Sequence, residues 1–139
     1  MGSIFTEIIS GNIPGHFVWK DDLAVVIMTI APIKEGHVLV IPRQEVDQWD
    51  DLPEETAAHL VIVAQKVTKG LKKAFPSERV GLIIAGLEVP HTHIHLIPVN
   101  SLADFDFTLA KQASQESLAA NSAKLRDALK ELGHREADL

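Results

Sequence analysis

The sequence has 139 residues and a mass of 15.2 kDa, so residues 1–139 are expected to form a single domain. The 19 acidic side chains outnumber the 13 basic ones, and the resulting net charge of −6 argues against nucleic acid or an anionic membrane surface as a partner. The chain has no cysteine, which excludes disulfides, thiolate zinc sites and a thiol nucleophile.

Capping and turn signals divide the first part of the chain into one short helix and three strands. Ser3 is a favourable N-cap for a helix over residues 4–9, and Gly11 is suited to end it. Runs rich in β-branched and apolar residues then predict strands. These runs cover residues 16–20, 23–30 and 36–42, and the first two are separated by Asp21-Asp22 as in a hairpin.

The second part predicts two long helices and two more strands. Apolar residues recur at helical spacing over residues 53–75, after a start marked by proline and acidic side chains. Strands are expected over residues 81–85 and 91–99. A final helix is expected to bury Leu118, Leu125, Leu129 and Leu132, and Gly133 would close it. Together these elements predict an α+β fold with a five-stranded antiparallel sheet, one short helix and two long helices.

Three histidines in the last predicted strand distinguish this sequence. His91, His93 and His95 lie at i, i+2 and i+4, so in a strand all three imidazoles would share one face, about 6.6 Å apart. The other face, expected to pack on the core, carries Thr92, Ile94 and Leu96.

Three interpretations of this cluster remain open from the residues alone. The imidazoles could form a hydrogen-bonded, partly buried polar face. They could bind zinc, because histidines at i and i+2 of a strand can share one ion. They could also form a phosphoryl or nucleotidyl transfer site, since an imidazole is a free base near neutral pH and departs readily as a leaving group.

The ordered motifs of the chain resemble the histidine-triad superfamily of nucleotide hydrolases and transferases. The pattern His-x-His-x-His, two apolar residues and a proline spans residues 91–98, and the resemblance extends over residues 4–98. The upstream pieces are Ile4-Phe5, Ile13-Pro14, Asp21-Asp22, Ile30-x-Pro32, the run from Gly36-His37 to Pro42, and Asp51-Leu52. Residues 100–139, which include the final helix, form a C-terminal extension with no matching motif.

This resemblance implies a covalent mechanism. His93 would attack the α-phosphorus of a phosphoramidate, dinucleoside polyphosphate or related nucleotide and form a nucleotidyl-histidine. His91 and His95 would bind phosphate oxygens or fix the tautomer of His93, and His37 would support them from the neighbouring strand. The resemblance further implies hydrolysis without a cofactor, and a homodimer with a continuous sheet.

The resemblance also implies where the substrate lies, and two departures from the pattern bear on it. The apolar pocket walls would be Phe5, Ile8 and Ile30. Thr29 replaces the family's usual aspartate, so the paired acceptors for the ribose hydroxyls are lost. Glu88 lies where the family usually supplies donors to the phosphates.

These departures keep two alternatives open. One is a nucleotide-binding or adaptor protein without catalytic activity, and the other is a zinc-binding histidine site. The longest apolar stretch, residues 23–33, is too short to span a bilayer, and the first residues lack the features of a secretory signal. We therefore expect a cytoplasmic protein with a small-molecule partner.

Overall fold

The computed structural model describes residues 2–139 and confirms the predicted α+β architecture. The three helices and five strands follow one another in the order that the sequence predicts. In chain order they are α1 (Ile4–Ile9), β1 (Phe17–Lys20), β2 (Ala24–Met28), β3 (Val38–Pro42), α2 (Glu54–Ala74), β4 (Arg79–Ile83), β5 (Ile94–Val99) and α3 (Gln115–Glu131).

The five strands form one antiparallel sheet in the order β1-β2-β3-β5-β4. This order places β3 directly beside β5, with Leu39 paired to His95 and Val38 paired to Leu96. Since β2 and β3 are buried on both faces, they are apolar throughout rather than alternating. The sheet therefore brings the segment around His37 next to the histidine segment.

Helices cover both faces of this sheet. The face that packs against α2 and α3 contains the largest apolar cluster. Ile94 and Leu96 belong to this cluster, as predicted. The opposite face packs against α1 through Phe5 and Ile8. His95 lies on the α1 face, because side chains alternate along β5.

The final helix packs into the main core, although it lies in the extension that matches no family motif. Leu118, Leu125 and Leu129 are buried as predicted, whereas Leu132 lies beyond the last turn of α3 and is 44% exposed. The two long helices approach closely at Gly70, where an added Cβ would lie 2.6 Å from a methyl carbon of Leu129. Within residues 2–139, no helix has the length and hydropathy to cross a membrane.

The last strand starts later than predicted. The backbone bends at His91, residues 92–93 have no regular secondary structure, and β5 begins only at Ile94. The backbone N–H of Thr92 donates to the carbonyl of Val46, and that of His91 donates to Val89, so both are diverted from the strand ladder. The predicted strand over residues 81–85 likewise lies at Arg79–Ile83, because its pairing with β5 ends at His95.

Candidate active site

His37, His93 and His95 border a cavity of about 350 Å³ on the α1 face of the sheet. Five residues singled out by the sequence line it, namely Thr29, His37, Glu88, His93 and His95. The loop between β4 and β5 contributes Ala85, Gly86 and Leu87, and the remaining walls are Ala31, Phe107 and Ala110. The cavity thus combines apolar walls with a few convergent polar groups, as ligand sites do.

His93 presents an unprotonated ring nitrogen to this cavity. Its Nδ1 lies 2.7 Å from the backbone carbonyl of His91. Because a carbonyl can only accept, Nδ1 carries the proton and Nε2 keeps its lone pair. Among residues 2–139, no fully buried side-chain nitrogen or oxygen lacks a hydrogen-bond partner, so solvent reaches the unpartnered Nε2. His93 therefore holds a free base in the geometry of a nucleophile.

The tautomer of His95 is fixed through His37. The backbone N–H of Ile33 donates to Nδ1 of His37 over 3.0 Å, which leaves the proton of His37 on Nε2. That Nε2 lies 2.9 Å from Nδ1 of His95 and donates to it. His95 consequently carries its own proton on Nε2, where it can donate a hydrogen bond next to His93. The two rings lie 5.0 Å apart between centroids.

His91 does not share the open face that the sequence predicted for all three histidines. Its side chain is completely buried, with Nε2 donating to the carbonyl of Pro42 over 2.8 Å. Its Nδ1 then accepts from the hydroxyl of Ser3 over 2.6 Å. The prediction fails because the backbone bends at His91, before the strand begins. His91 contacts the site through its carbonyl oxygen, which holds Nδ1 of His93.

A network that the sequence analysis missed holds His91 in place. Ser3 accepts from the backbone N–H of Thr6 as the N-cap of α1, as predicted, and also donates to His91. Glu45 accepts from the Ser3 backbone N–H and from the Thr6 hydroxyl, at 2.7 and 2.6 Å. The hydrogen bond from Thr6 and that from Ser3 lower the pKa of the Glu45 carboxyl. No local sequence signal connects Ser3 to a residue 88 positions away.

Burial keeps the three cavity histidines uncharged. Together with the smaller effect of a neighbouring histidine, burial lowers the pKa of His37 to about 3 and that of His95 to about 4. Burial is also the largest cause of the lowered pKa of His93, and the hydrogen bond to the His91 carbonyl opposes it. All three are neutral at pH 7.

Phe5, Ile8 and Ile30, which the resemblance implies as apolar pocket walls, do not line this cavity. Phe5 is buried and packs edge-on against the rings of His91 and His93, at centroid distances of 5.7 and 4.8 Å. Ile8 belongs to the cluster between α1 and the sheet. Ile30 is 60% exposed and does not line the cavity. Phe5 thus packs against histidine rings, while Thr29 and Glu88 line the cavity.

The C-terminal extension supplies one wall of the cavity. Phe107 packs edge-on against His95 with ring centroids 4.9 Å apart. The segment is held by backbone hydrogen bonds from Lys111 to Pro32 and from Ala113 to Ile30. An ion pair between Lys34 and Asp104, 3.3 Å long, joins it to the turn before β3. Because a single phenylalanine carries no motif, this wall could not be predicted from the sequence.

Known proteins share both the sequence pattern and the fold. The HIT domain matches residues 10–102, and the chain therefore belongs to the histidine-triad (HIT) family, as the resemblance indicated. Adenosine 5'-monophosphoramidase hnt1 of Schizosaccharomyces pombe is 33% identical over 103 residues, which cover 70% of this chain and 74% of that protein.

Solved structures of histidine-triad proteins have the same fold as this chain. A hypothetical histidine triad nucleotide-binding protein from Sulfolobus tokodaii has a TM-score of 0.83 at 26% identity, covering 97% of each chain. A Zn-bound histidine triad family protein from Mycobacterium smegmatis has a TM-score of 0.78 at 26% identity, covering 94% of each chain.

The four histidines near the cavity do not fit a shared zinc ion. Both ring nitrogens of His91 and of His37 are engaged in hydrogen bonds, and His95 accepts through Nδ1 and is protonated at Nε2. Only Nε2 of His93 keeps a lone pair for a metal, and a zinc site needs three or four ligands. Within residues 2–139, no group of three His, Asp or Glu side chains is arranged to hold a metal ion.

Proposed function

We propose that this protein is a nucleotide hydrolase or transferase that cleaves nucleoside phosphoramidates and related nucleotides through a nucleotidyl group on His93. One observation carries the proposal: the unprotonated Nε2 of His93 meets the cavity while Nδ1 is held by the His91 carbonyl. The name of the S. pombe relative, an adenosine 5'-monophosphoramidase, supports the substrate class.

In the first step, Nε2 of His93 forms a bond to the α-phosphorus and the bond from phosphorus to the leaving nitrogen breaks. The leaving amine takes its proton from a water molecule in the cavity. The phosphorylated ring becomes an imidazolium, whose Nδ1–H still donates to the carbonyl of His91. That carbonyl is a fixed acceptor where positive charge develops, so it stabilises the intermediate.

In the second step, the hydroxide left by that water attacks phosphorus and the bond between phosphorus and Nε2 breaks. A nucleoside monophosphate is released and His93 recovers its lone pair, so the cycle consumes one water. His95 acts as a neutral donor, because its Nε2–H can bind a phosphoryl oxygen. His37 keeps that proton in position by donating to Nδ1 of His95.

A nucleotide-binding protein without turnover is the second candidate, and Thr29 is the observation that favours it. Thr29 lines the cavity with a hydroxyl, which accepts from the backbone N–H of Ala31 over 3.3 Å. A hydroxyl used in this way offers a ribose less than a carboxylate with two free oxygens. Weaker ribose binding would reduce catalysis without preventing nucleotide binding.

The test is an intact-mass measurement after brief incubation with adenosine 5'-phosphoramidate and an acid-free quench. We expect a mass increase of one adenylyl group on the native protein and none on His93→Ala. Turnover by His93→Ala should fall by about a thousandfold or more. His16→Ala, a histidine outside the cavity, serves as the matched control. Native-like turnover by His93→Ala contradicts the proposal, and nucleotide binding without any turnover favours the second candidate.

A further inference from the structure

We propose that Glu88 selects the leaving group by charge, so that the site favours a leaving amine bearing an ammonium group and disfavours an anionic one. This inference rests on the proposed function and adds the class of leaving group to it.

The position of Glu88 in the cavity is the first observation. Glu88 lies in the loop between β4 and β5 and lines the same cavity as His93 and His95. No lysine or arginine lines this cavity, and Glu88 is its only carboxylate. None of the ion pairs among residues 2–139 involves Glu88. Its charge is therefore not neutralised by a neighbouring side chain.

The charge of Glu88 also affects the pKa of His93. Burial lowers the pKa of His93, and the carboxylate of Glu88 is one of the contributions that raise it. Because His37 and His95 have pKa values of about 3 and about 4, neither carries a positive charge at pH 7. The cavity consequently has a net negative charge before any substrate binds.

This charge can distinguish substrates only through the part of the substrate that varies. Every nucleotide substrate brings an anionic α-phosphoryl group, so that repulsion is common to all of them. A polyphosphate or carboxylate leaving group adds further negative charge beside Glu88, whereas an ammonium group is attracted to it. Leu87, in the same loop, and Phe107 also line this cavity, and their apolar side chains can contact a hydrocarbon linker.

Three adenosine 5'-phosphoramidates of similar length test this inference with the full chain. They are made from 1,5-diaminopentane, pentylamine and 5-aminopentanoate, so the nucleoside and the cleaved bond are the same in each. We expect kcat/KM at pH 7 and low salt to decrease in that order. In Glu88→Gln the ratio between the ammonium and the carboxylate substrate should shrink about tenfold. Added salt should shrink it in the native protein.

Glu78→Gln is the matched control, because Glu78 is exposed and lies outside this cavity. It should keep the native ratio. A native ratio retained by Glu88→Gln overturns the inference, as does equal cleavage of all three substrates by the native protein. If Glu88→Gln slows all three by the same factor, Glu88 acts on water rather than on the leaving group, and the inference is wrong. If the native protein cleaves none of them, the proposed function itself fails.

Discussion

At the scale of single residues, hydrogen bonds to one ring nitrogen decide what the other can do. The His91 carbonyl leaves His93 a free Nε2, and the pair of His37 and His95 leaves a proton on Nε2 of His95. Both tautomers form with neutral histidines. The His91 carbonyl, which can only accept, sets the tautomer of His93, and the Ile33 N–H, which can only donate, sets that of His95 through His37. The roles of the two rings follow from backbone groups of Ile33 and His91.

Ser3 is linked to His93 through His91, and a substitution of Ser3 tests whether this link positions His93. Ser3→Ala removes the N-cap of α1 and the donor to His91, so we expect a loss of about 1 kcal/mol in the free energy of unfolding. We also expect kcat for phosphoramidate cleavage to fall about tenfold with KM little changed, because the His91 carbonyl loses its fixed position. Denaturant unfolding and steady-state kinetics measure the two effects.

Two further variants separate positioning from stability. Ser3→Thr keeps the hydroxyl and should restore most of kcat. Ser10→Ala, at the other end of α1, removes an exposed hydroxyl that bonds only to Thr6 and should leave kcat unchanged. Nitrogen-15 shifts of the His91 and His93 rings should change in Ser3→Ala alone. If Ser3→Ala keeps native kcat and native ring shifts, the network has no positioning role.

At the scale of elements, the segment before α3 completes the cavity. Phe107→Ala removes the ring that packs against His95, and we expect KM for a phosphoramidate to rise several-fold as the cavity opens. Leu109→Ala is the matched control, since Leu109 is equally exposed, at 44%, but does not line the cavity. Equal effects of the two substitutions on KM would contradict a specific role for Phe107.

Local signals predicted the elements well, and contacts distant in sequence account for the misses. The N-cap at Ser3, the proline and acids before α2, and the apolar spacing of α3 each lie within the element they specify. The orientation of His91 depends on Ser3 and Pro42, which are far away along the chain. Phe107 faces His95 only because the extension crosses the turn before β3.

At the scale of the whole molecule, the buried histidines make stability depend on pH. The folded-state pKa values of His37 and His95, about 3 and about 4, lie below the 6.5 of an unfolded histidine. Between these values the unfolded chain binds more protons than the folded one. The contribution of these two histidines to the free energy of unfolding is therefore fully present above about pH 6.5 and falls as the pH is lowered below it.

Urea unfolding at pH 7.5, 6.0 and 5.0 measures this slope, and carboxylates begin to titrate only at the lowest of these values. His37→Gln should reduce the slope, whereas His16→Gln should leave it unchanged. A midpoint that stays constant between pH 7.5 and 5.0 would contradict neutral burial of these rings.

The assembly is a second property of the whole molecule. The edge strand β4 leaves one side unpaired, and Leu82 on β4 and Val61 and Ile62 on α2 are about half exposed. We propose that a second copy of the chain pairs along β4 and covers these residues, giving the homodimer that the resemblance implies.

Light scattering should then give twice the 15.2 kDa of one chain. Ile62→Glu should shift the mass toward 15.2 kDa, because a charge would be buried between the copies. Ile13→Glu, an exposed residue in the loop after α1, should not. A native mass of 15.2 kDa at micromolar concentration would contradict the dimer.

The wall formed by Phe107 also has a consequence for synthesis on the ribosome. All four histidines of the triad segment and its neighbouring strand are translated before residue 100, yet the chain over His95 is anchored by a helix that ends at Glu131. A nascent chain that has emerged only as far as β5 therefore carries these histidines but only part of the cavity wall. The wall that Phe107 forms therefore depends on the docking of α3 against α2, which needs residues well beyond the histidine segment.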